Sequence, residues 1–341
     1  MTVLNFTLVM TMLAATGCAT VLREGQWRST PPQAACVVTL TDGEGSTRER
    51  RYDAAGHLLF GTTGGRLERT GFEWLHWQDD RVVAIETFSQ TPEEGDEPAR
   101  REIERMDLRY ERGLLTRIET TTQAYVGPPP SETGMAPPSG PWMADEGSVI
   151  VQEFVRDGKR LTAVAKAHRL VTPLDGFDRL EYVDGRVVRK VRVAPPLRKL
   201  FGDDRDREEE IEWKDGRVSG HRWGGYLETF AYDDAGRLEH HGRRDLADKN
   251  GRETTVNDWS YGPRGVITRM AEPGHRWQYQ YDAAGHLLAT RHESGFLVEE
   301  AWSYRGDCDR VFAGPPPPDP LQLVGARACI RSQARFFEAC D

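Results

Sequence analysis

Apolar and polar residues alternate along much of the chain, with the period of two that a half-buried β-strand requires. The clearest example is HRWQYQY at 275–281, whose tryptophan and tyrosines share one face while its glutamines share the other. WSY stretches at 259–261 and 302–304 repeat the spacing just before other turns. The pattern predicts antiparallel strands whose aromatic side chains form a ladder from strand to strand.

A short motif with a glycine turn recurs between these strands. Near-copies of the long form are RYDAAGHLL at 51–59, YDDAGRLE at 232–239 and YDAAGHLL at 281–288, and shorter relatives are EYVDGRVV at 181–188 and EWKDGRVS at 212–219. In the long form, Asp-x-x-Gly suits a type I turn in which Asp caps the backbone and Gly takes the left-handed conformation. In the short form, Asp-Gly suits a two-residue type I′ turn. Each motif therefore predicts a β-hairpin.

The Tyr-Asp-x-x-Gly-Arg/His-Leu unit resembles the YD repeat of RHS-repeat proteins, and the series covers most of residues 36–312. In that family, successive hairpins build a long β-sheet that coils into a shell or spiral, and large members enclose a toxin or present a surface-binding module. This chain has too few hairpins to enclose cargo, and Leu321 follows Asp319-Pro320 where the self-cleaving core of the family has a glycine pattern. The resemblance implies a short member without toxin or self-cleaving core.

We expect an all-β fold: a meandering antiparallel sheet of about ten YD-like hairpins, curled or partly barrel-like, with a short C-terminal helix. The sheet domain spans 33–313 and contains a proline-rich loop insertion at 127–147. A second proline-rich segment, 314–320, is predicted to be a linker. The helix is predicted over 321–341 because a run of prolines breaks the chain just before it.

Residues 1–17 carry no charge and are mostly apolar. The apolar run is too short for a membrane span of ~20 residues, and it ends in small residues, as a cleaved signal peptide does. The stretch Ala15-Thr16-Gly17-Cys18 resembles a bacterial lipoprotein box, which implies cleavage before Cys18 and acylation of that residue. Residues 18–32 would then be a tether to a membrane of the bacterial cell envelope, for which we expect the outer membrane. An ordinary signal peptide with a chance cysteine is the alternative.

Four cysteines remain after Cys18, and an even number in an exported protein suggests two disulfides. On one continuous helix, Cys329 and Cys340 would lie ~16 Å apart, which exceeds the ~7 Å limit between the Cα atoms of a disulfide. They would share a helix face, so we expect the C-terminal helix to be stapled to Cys36 and Cys308, one bond to each. A metal site is the rival interpretation, but the chain has no CxxC pair.

The composition removes several classes of function. The chain has 45 Lys and Arg against 54 Asp and Glu, a formal net charge of −9, which argues against a nucleic-acid partner. No Gly-x-Ser-x-Gly elbow, phosphate-binding Gly-Lys-Ser/Thr or HExxH motif is present. The sequence therefore predicts no catalytic residue, no metal and no cofactor.

Tryptophans are the candidate ligand contacts. The simplest interpretation places them in the core or in the aromatic ladder, but a row partly exposed on one sheet face could stack on sugar rings. The candidates are Trp213, Trp223, Trp259, Trp277 and Trp302. We expect a non-catalytic binding or scaffold protein, anchored to the membrane by its lipid, that presents the sheet to an envelope protein or glycan. The alternative is an envelope hydrolase with an acidic site between hairpins, which a pocket with two carboxylates or a histidine of shifted pKa would favour.

Overall fold

The structure is a computed structural model of the chain. It describes residues 31–63, 70–91, 100–127, 143–168, 177–193, 207–248, 251–294, 297–311, 314–331 and 338–340. The predicted signal peptide, Cys18 and most of the predicted tether lie outside the described residues, as does most of the loop insertion.

Within the described residues, twenty strands follow one another before a short C-terminal segment, which confirms the all-β prediction. They are β1 (Cys36–Asp42), β2 (Thr47–Tyr52), β3 (Leu58–Thr63), β4 (Thr70–Gln78), β5 (Arg81–Thr91), β6 (Arg100–Glu111), β7 (Leu114–Val126), β8 (Met143–Asp157), β9 (Arg160–His168), β10 (Phe177–Val183), β11 (Arg186–Val193), β12 (Arg207–Lys214), β13 (Arg217–Trp223), β14 (Tyr226–Tyr232), β15 (Leu238–Asp245), β16 (Thr254–Tyr261), β17 (Ile267–Glu272), β18 (His275–Tyr281), β19 (Leu287–Glu293) and β20 (Leu297–Gly306). After them come the short helix α1 (Pro320–Leu323) and a small hairpin of β21 (Cys329–Arg331) and β22 (Glu338–Cys340).

These twenty strands form one closed antiparallel sheet. Each strand pairs with the strands before and after it in the chain, and β20 pairs back with β1, where Trp302 lies opposite Leu40. Closure leaves no free edge that could pair with another chain. The barrel-like prediction is confirmed in this form. The sheet is a continuous ring rather than a set of ten hairpin units, because strands of successive hairpins, such as β7 and β8, also pair with each other.

The connections fall at two ends of the barrel because the strands run alternately up and down. The turns of the repeats, from β2–β3 to β18–β19, share one end, which we call the repeat-turn end. The other connections, including the one that carries the loop insertion, share the opposite end, which we call the loop end. Both β1 and the chain after β20 meet the repeat-turn end, where Cys36 lies opposite Gly306.

One face of the sheet is buried at the repeat-turn end. The aliphatic residue that follows each turn of the repeats is at most 6% exposed: Leu58, Val82, Leu115, Leu161, Val187, Val218, Leu238, Ile267 and Leu287. The neighbour on the opposite face contrasts with it, since Leu288 is 44% exposed. Each such side chain contributes about 1.5–3 kcal/mol when buried, so this layer is a main source of stability.

The chain after β20 crosses the ring at this end. Because this segment packs against the buried face of the sheet, the buried face is the inward one. The carbonyl of Arg310 lies 2.7 Å from the point where a Cβ on Gly56 would stand, next to the β2–β3 turn. On the far side of the ring, Lys190 of β11 donates a hydrogen bond of 3.2 Å to the carbonyl of Val324. The buried residues of this segment join the same hydrophobic core as the strands: Val311, Val324, Ala326, Ala328 and Ile330. The segment therefore fills the repeat-turn end of the lumen.

The helix predicted over 321–341 is wrong for the described residues, in which only Pro320–Leu323 is α-helical. Asp319 caps this helix by accepting a 2.9 Å hydrogen bond from the backbone N–H of Leu321. The helix then stops before Gly325, whose φ of +68° is left-handed and typical of the residue that ends a helix. The chain continues into the β21–β22 hairpin, which a continuous helix would have prevented.

The predicted disulfide pairing is wrong for the same reason. Cys36 and Cys308 bond to each other, with their Cα atoms 4.9 Å apart. Cys329 is also disulfide-bonded, and the register of β21 and β22 places it directly opposite Cys340. Opposite residues of an antiparallel pair are within reach of a disulfide, so the hairpin brings together two cysteines that a helix would hold apart. The Cys36–Cys308 bond ties the first strand to the segment that fills the barrel.

Candidate binding face at the loop end of the barrel

One recurring contact joins successive repeats and fixes the orientation of the aromatic ladder. The ring before each turn donates a hydrogen bond of 2.6–2.9 Å to the carbonyl of the buried aliphatic residue after the preceding turn. The pairs are Trp77–Leu58, Tyr110–Val82, Tyr182–Leu161, Trp213–Val187, Tyr232–Val218, Tyr261–Leu238, Tyr281–Ile267 and Tyr304–Leu287. These rings are therefore committed to the scaffold.

The basic residue of the repeat also acts within the scaffold. Arg237 lies 4.5 Å over the ring of Tyr261, and His57 stacks on Trp77 at 4.2 Å. In the long turns, the Asp accepts backbone hydrogen bonds and faces the same basic residue, as Asp282 does with His286 Nδ1 at 2.9 Å. These bonds, first of all the one from the backbone of His286, lower the pKa of Asp282. Each repeat thus specifies the hairpin turn, the stacking of its basic residue on the next ring and the contact of its aliphatic residue with the core.

The inward face becomes polar toward the loop end. On β12, the inward residues change from Trp213 through Ile211 to Glu209, and on β14 they change from Tyr232 through Phe230 to Glu228. The sheet register sets these carboxylates beside inward-facing residues of the neighbouring strands, so that His221 lies opposite Glu228. The loop end of the lumen is therefore lined by charge where the repeat-turn end is apolar.

A buried ion network occupies this part of the lumen. Lys190 Nζ lies 2.6 Å from Glu209 Oε2, and the ring of His221 lies 3.0 Å from both Glu209 and Glu228. Arg243 Nη2 completes the network at 2.8 Å from Glu228. His221 is 5% exposed, and so is Glu228. Every charge in this network has an opposite charge within hydrogen-bond distance.

The network holds its charges firmly. Burial opposes the charged form of Glu228, but hydrogen bonds from His221 and Arg243, together with the nearby ring of His241, outweigh it and hold the pKa of this carboxyl well below 4.5. The pKa of Glu209 is lowered in the same way, against its burial, by His221 and Lys190. Burial likewise opposes the charge on His221, but its two carboxylate partners raise the pKa of the imidazole above 6.5. Neither carboxyl is suited to donate a proton at neutral pH.

The adjacent histidines 240 and 241 point to opposite faces, as expected for a strand. His240 lies outward between Asp258 and Glu253, at 2.6 and 3.0 Å. His241 lies inward, stacks on Phe230 at 4.9 Å and is 5% exposed. Its Nε2 is 3.7 Å from Glu228, too long for a hydrogen bond, and neither ring nitrogen has a hydrogen-bond partner among the described residues.

An aromatic pair marks the rim above this network. Trp223 and Tyr226 flank the Gly224–Gly225 turn, in which both glycines have positive φ, 53° and 93°. Their ring centroids are 5.2 Å apart, and the guanidinium of Arg243 lies 5.4 Å from the first ring and 5.9 Å from the second. Five inward residues near the rim of β11 to β15 are called the mouth strip: Arg192, Arg207, Trp223, Tyr226 and Arg243. Asp245 lies beside them on the same face, opposite Tyr226.

A second aromatic group lies along the rim on β18 and β19. Trp277 stacks with His292 at 4.7 Å and with His275 at 5.7 Å. An open cavity of about 660 Å³ adjoins the β17–β18 turn and is lined by His275, Arg276 and Glu293 among others. Within the described residues, no three His, Cys, Asp or Glu side chains are arranged to hold a metal ion.

The structure places all five candidate tryptophans on the inward face but at different depths. Trp259 is 8% exposed. The indole N–H of Trp213 is bonded to Val187, and that of Trp302 donates to Thr290 Oγ1 at 3.1 Å. Trp223 and Trp277 lie partly exposed, nearer the loop end. That any of the five contacts a ligand remains a prediction.

The residues that surround Trp223 were missed by the sequence analysis. Tyr226 carries a signal that could have been found, because an aromatic on either side of Gly-Gly is a hairpin pattern. The arginines of the mouth strip carry no such sequence signal, because they come close together only through the register of five strands.

Among the described residues, no helix has both the length and the apolar character needed to cross a membrane. No family model matches the chain, and no curated protein matches it. Among solved structures, the chain is similar to a porin-like protein from Bacteroides uniformis, with 10% identity and a TM-score of 0.28 over 82% of this chain and 99% of that one. A likeness this weak carries no information about function, and the YD-repeat resemblance remains a prediction.

Proposed function

We propose that this chain is a non-catalytic, lipid-anchored protein of the bacterial cell envelope that binds a glycan at the loop end of its barrel. The observation that carries the proposal is the pair of partly exposed, inward-facing tryptophans near that end, Trp223 and Trp277. Aromatic faces stack on the C–H faces of sugar rings, and each aromatic side chain offers a large apolar area at little conformational cost. The filled repeat-turn end supplies a rigid base for these rings.

The path of the chain supports this orientation. β1 begins at the repeat-turn end, so a tether that precedes it joins the barrel at that end. With Cys18 as the lipid anchor, the loop end would point away from the membrane and toward envelope material. The recurring bond from ring to carbonyl also supports membership of the YD-repeat family, since it uses the aromatic and the aliphatic positions of the motif together.

A glycan array followed by titration calorimetry on the best binder tests this function. Trp223→Ala and Trp277→Ala should each weaken binding about fivefold or more, because stacking on one aromatic contributes about 1 kcal/mol or more, on the order of the ~1–3 kcal/mol known for bases stacked on aromatics. Leu288→Ala, on the outward face, is the matched control and should leave affinity unchanged. Absence of any glycan ligand, or unchanged affinity in both tryptophan variants, would overturn the proposal.

One observation favours the alternative, an envelope hydrolase. His221 has a raised pKa and lies between two carboxylates. The lowered pKa values of both carboxyls weigh against it, because glycoside hydrolysis needs one carboxylic acid that keeps its proton. Release of reducing sugar from the bound glycan by the natural protein, lost in His221→Gln, would establish the hydrolase and overturn the non-catalytic proposal.

A further inference from the structure

We propose that the mouth strip selects sugars that carry a carboxylate, so that the ligand of the barrel is an anionic glycan. This inference rests on the proposed function and adds the chemical class of the ligand. It follows from the arginines of the strip, from the state of the carboxylates beneath them and from the aromatic pair beside them.

Two arginines of β11 and β12 lie close together, and their positive charges are not fully balanced by carboxylates. Arg192 and Arg207 lie directly opposite each other across these strands, on the inward face. Arg192 is paired with Asp178 at 2.8 Å, whereas Arg207 is exposed and makes no ion pair within the part of the chain that the structure describes. Like charges directly opposite each other destabilise a sheet. A ligand anion between these two guanidinium groups would relieve that repulsion.

The carboxylates Glu209 and Glu228 near the strip already pair with other groups and do not neutralise Arg207. Glu209 is held by Lys190 and His221 at 2.6 and 3.0 Å. Glu228 is held by His221 and Arg243. With Asp245, which lies on the inward face opposite Tyr226, the neighbourhood contains four Lys and Arg side chains and four carboxylates, before any charge on His221 is added: Lys190, Arg192, Arg207 and Arg243 with Asp178, Glu209, Glu228 and Asp245. Within the described residues, Arg207 is the cation of this group that has no carboxylate within ion-pair distance.

The same strip offers a surface for the sugar ring. The planes of the Trp223 indole and the Tyr226 ring are tilted by 42° to each other at the β13–β14 turn. The guanidinium of Arg243 lies over one face of each ring. A pyranose stacked on this pair would lie on the strands next to Arg207, since Trp223 lies opposite Glu209 on the strand that begins with this arginine. A guanidinium binds a carboxylate through two parallel hydrogen bonds. The strip therefore combines the two contacts that an acidic sugar needs.

The test compares two oligosaccharides that differ in the carboxylate at C6 of each residue, trigalacturonate and galactotriose, by titration calorimetry with the full chain. We expect trigalacturonate to bind at least tenfold more tightly than galactotriose, with the advantage falling as salt is raised, because screening weakens exposed charge pairs. Arg207→Gln should remove most of this advantage, because a charge-assisted bond is about twice as strong as a neutral one. Arg222→Gln, on the outward face one residue before Trp223, is the matched control and should preserve it.

The outcomes separate this inference from the function on which it rests. Equal affinity for the two sugars, both weakened by Trp223→Ala, would overturn the anionic class and leave the glycan-binding function intact. An advantage for trigalacturonate that survives Arg207→Gln would also overturn the inference. Failure of both sugars to bind, together with an empty glycan array, would overturn the proposed function itself. Thermal unfolding of each variant verifies that the barrel is folded.

Discussion

The two ends of the barrel are built from the same strands and differ in what those strands turn inward. At the repeat-turn end, β12 presents Trp213 with its N–H bonded to Val187, and the segment after β20 fills the space between the walls. At the loop end, the same strand presents Glu209 to Lys190 and His221. One end is sealed by apolar contacts and the other is lined by charge and partly exposed rings. Under the proposed function, stability and recognition are assigned to opposite ends.

This division would allow the lumen to take on a function that the repeat motif itself does not encode. The turn motif specifies only the first residues of each strand, where the ring, the basic residue and the aliphatic residue contact the neighbouring repeat. Beyond that layer the motif specifies no residue, and the inward positions include core side chains such as Ile211 and Phe230 as well as the charged Glu209 and Glu228. The predictions below test the division, from the largest expected effect to the smallest.

Removal of the bond that closes the repeat-turn end should have the largest effect. Cys36→Ser with Cys308→Ser opens a link between residues 272 positions apart, and loop-closure entropy predicts a loss of about 5 kcal/mol in the free energy of unfolding. Urea titration measures it. Glycan affinity of the folded variant should be unchanged, and a variant that keeps its stability but loses affinity would break the division between the ends.

The next effect separates the two faces of one strand. Leu287→Ala should cost about 2–5 kcal/mol in the free energy of unfolding, because Leu287 is 1% exposed and its removal leaves a cavity in the core. Leu288→Ala, one residue further and 44% exposed, should change it by less than about 0.5 kcal/mol. Similar losses in both variants would mean that the assignment of inward and outward faces is wrong.

Removing the hydroxyl of one tyrosine in the scaffold and of one at the rim compares the contributions of the two regions to stability. Tyr281→Phe removes the 2.9 Å bond to Ile267 and should lower the free energy of unfolding by about 1 kcal/mol. Tyr226→Phe should leave stability unchanged within about 0.5 kcal/mol, since Tyr226 belongs to the rim, where its ring lies against Trp223 and Arg243. Equal losses in the free energy of unfolding of the two variants would show that the rim contributes to stability as the scaffold does.

The smallest effect concerns pH. Because the pKa of His221 is raised in the folded protein, its contribution is full below about pH 6.5 and is lost as pH rises through the folded-state pKa. The lowered pKa values of Glu209 and Glu228 act in the other direction, with contributions that are present above about pH 4.5 and lost as pH falls. Urea midpoints should therefore be highest between about pH 5 and 6.5.

Two histidine variants sharpen this prediction. His221→Gln should flatten the decline of the urea midpoint above pH 6.5, because the titrating group of the buried network is gone. His240→Gln should alter it less, since the pKa of His240 is raised by Asp258 and Glu253 against its partial burial at a site that water screens. A larger change in the His240 variant would contradict the assignment of the buried network to the lumen.

The sequence was informative where structure is local and uninformative where it depends on ring closure. The alternation around Trp277 predicted the strand and its inward face, and the Asp-x-x-Gly motif predicted the turn at Asp282, because both follow from neighbours in the chain. The helix after Pro320 was wrong, because Gly325 ends it and the hairpin that follows depends on contact with the strands. The mouth strip was not foreseeable, since Arg192 and Arg243 meet only through four intervening strand pairings.

The most direct test of the division between the ends is a fluorine NMR titration of 5-fluorotryptophan-labelled protein with trigalacturonate, with signals assigned by single Trp→Phe variants. We predict that the resonance of Trp223 moves with added ligand while that of Trp213, committed to Val187 at the repeat-turn end, stays in place. A shift of the Trp213 signal with the Trp223 signal fixed would contradict the account, because the ligand would then bind at the end that the structure shows to be filled.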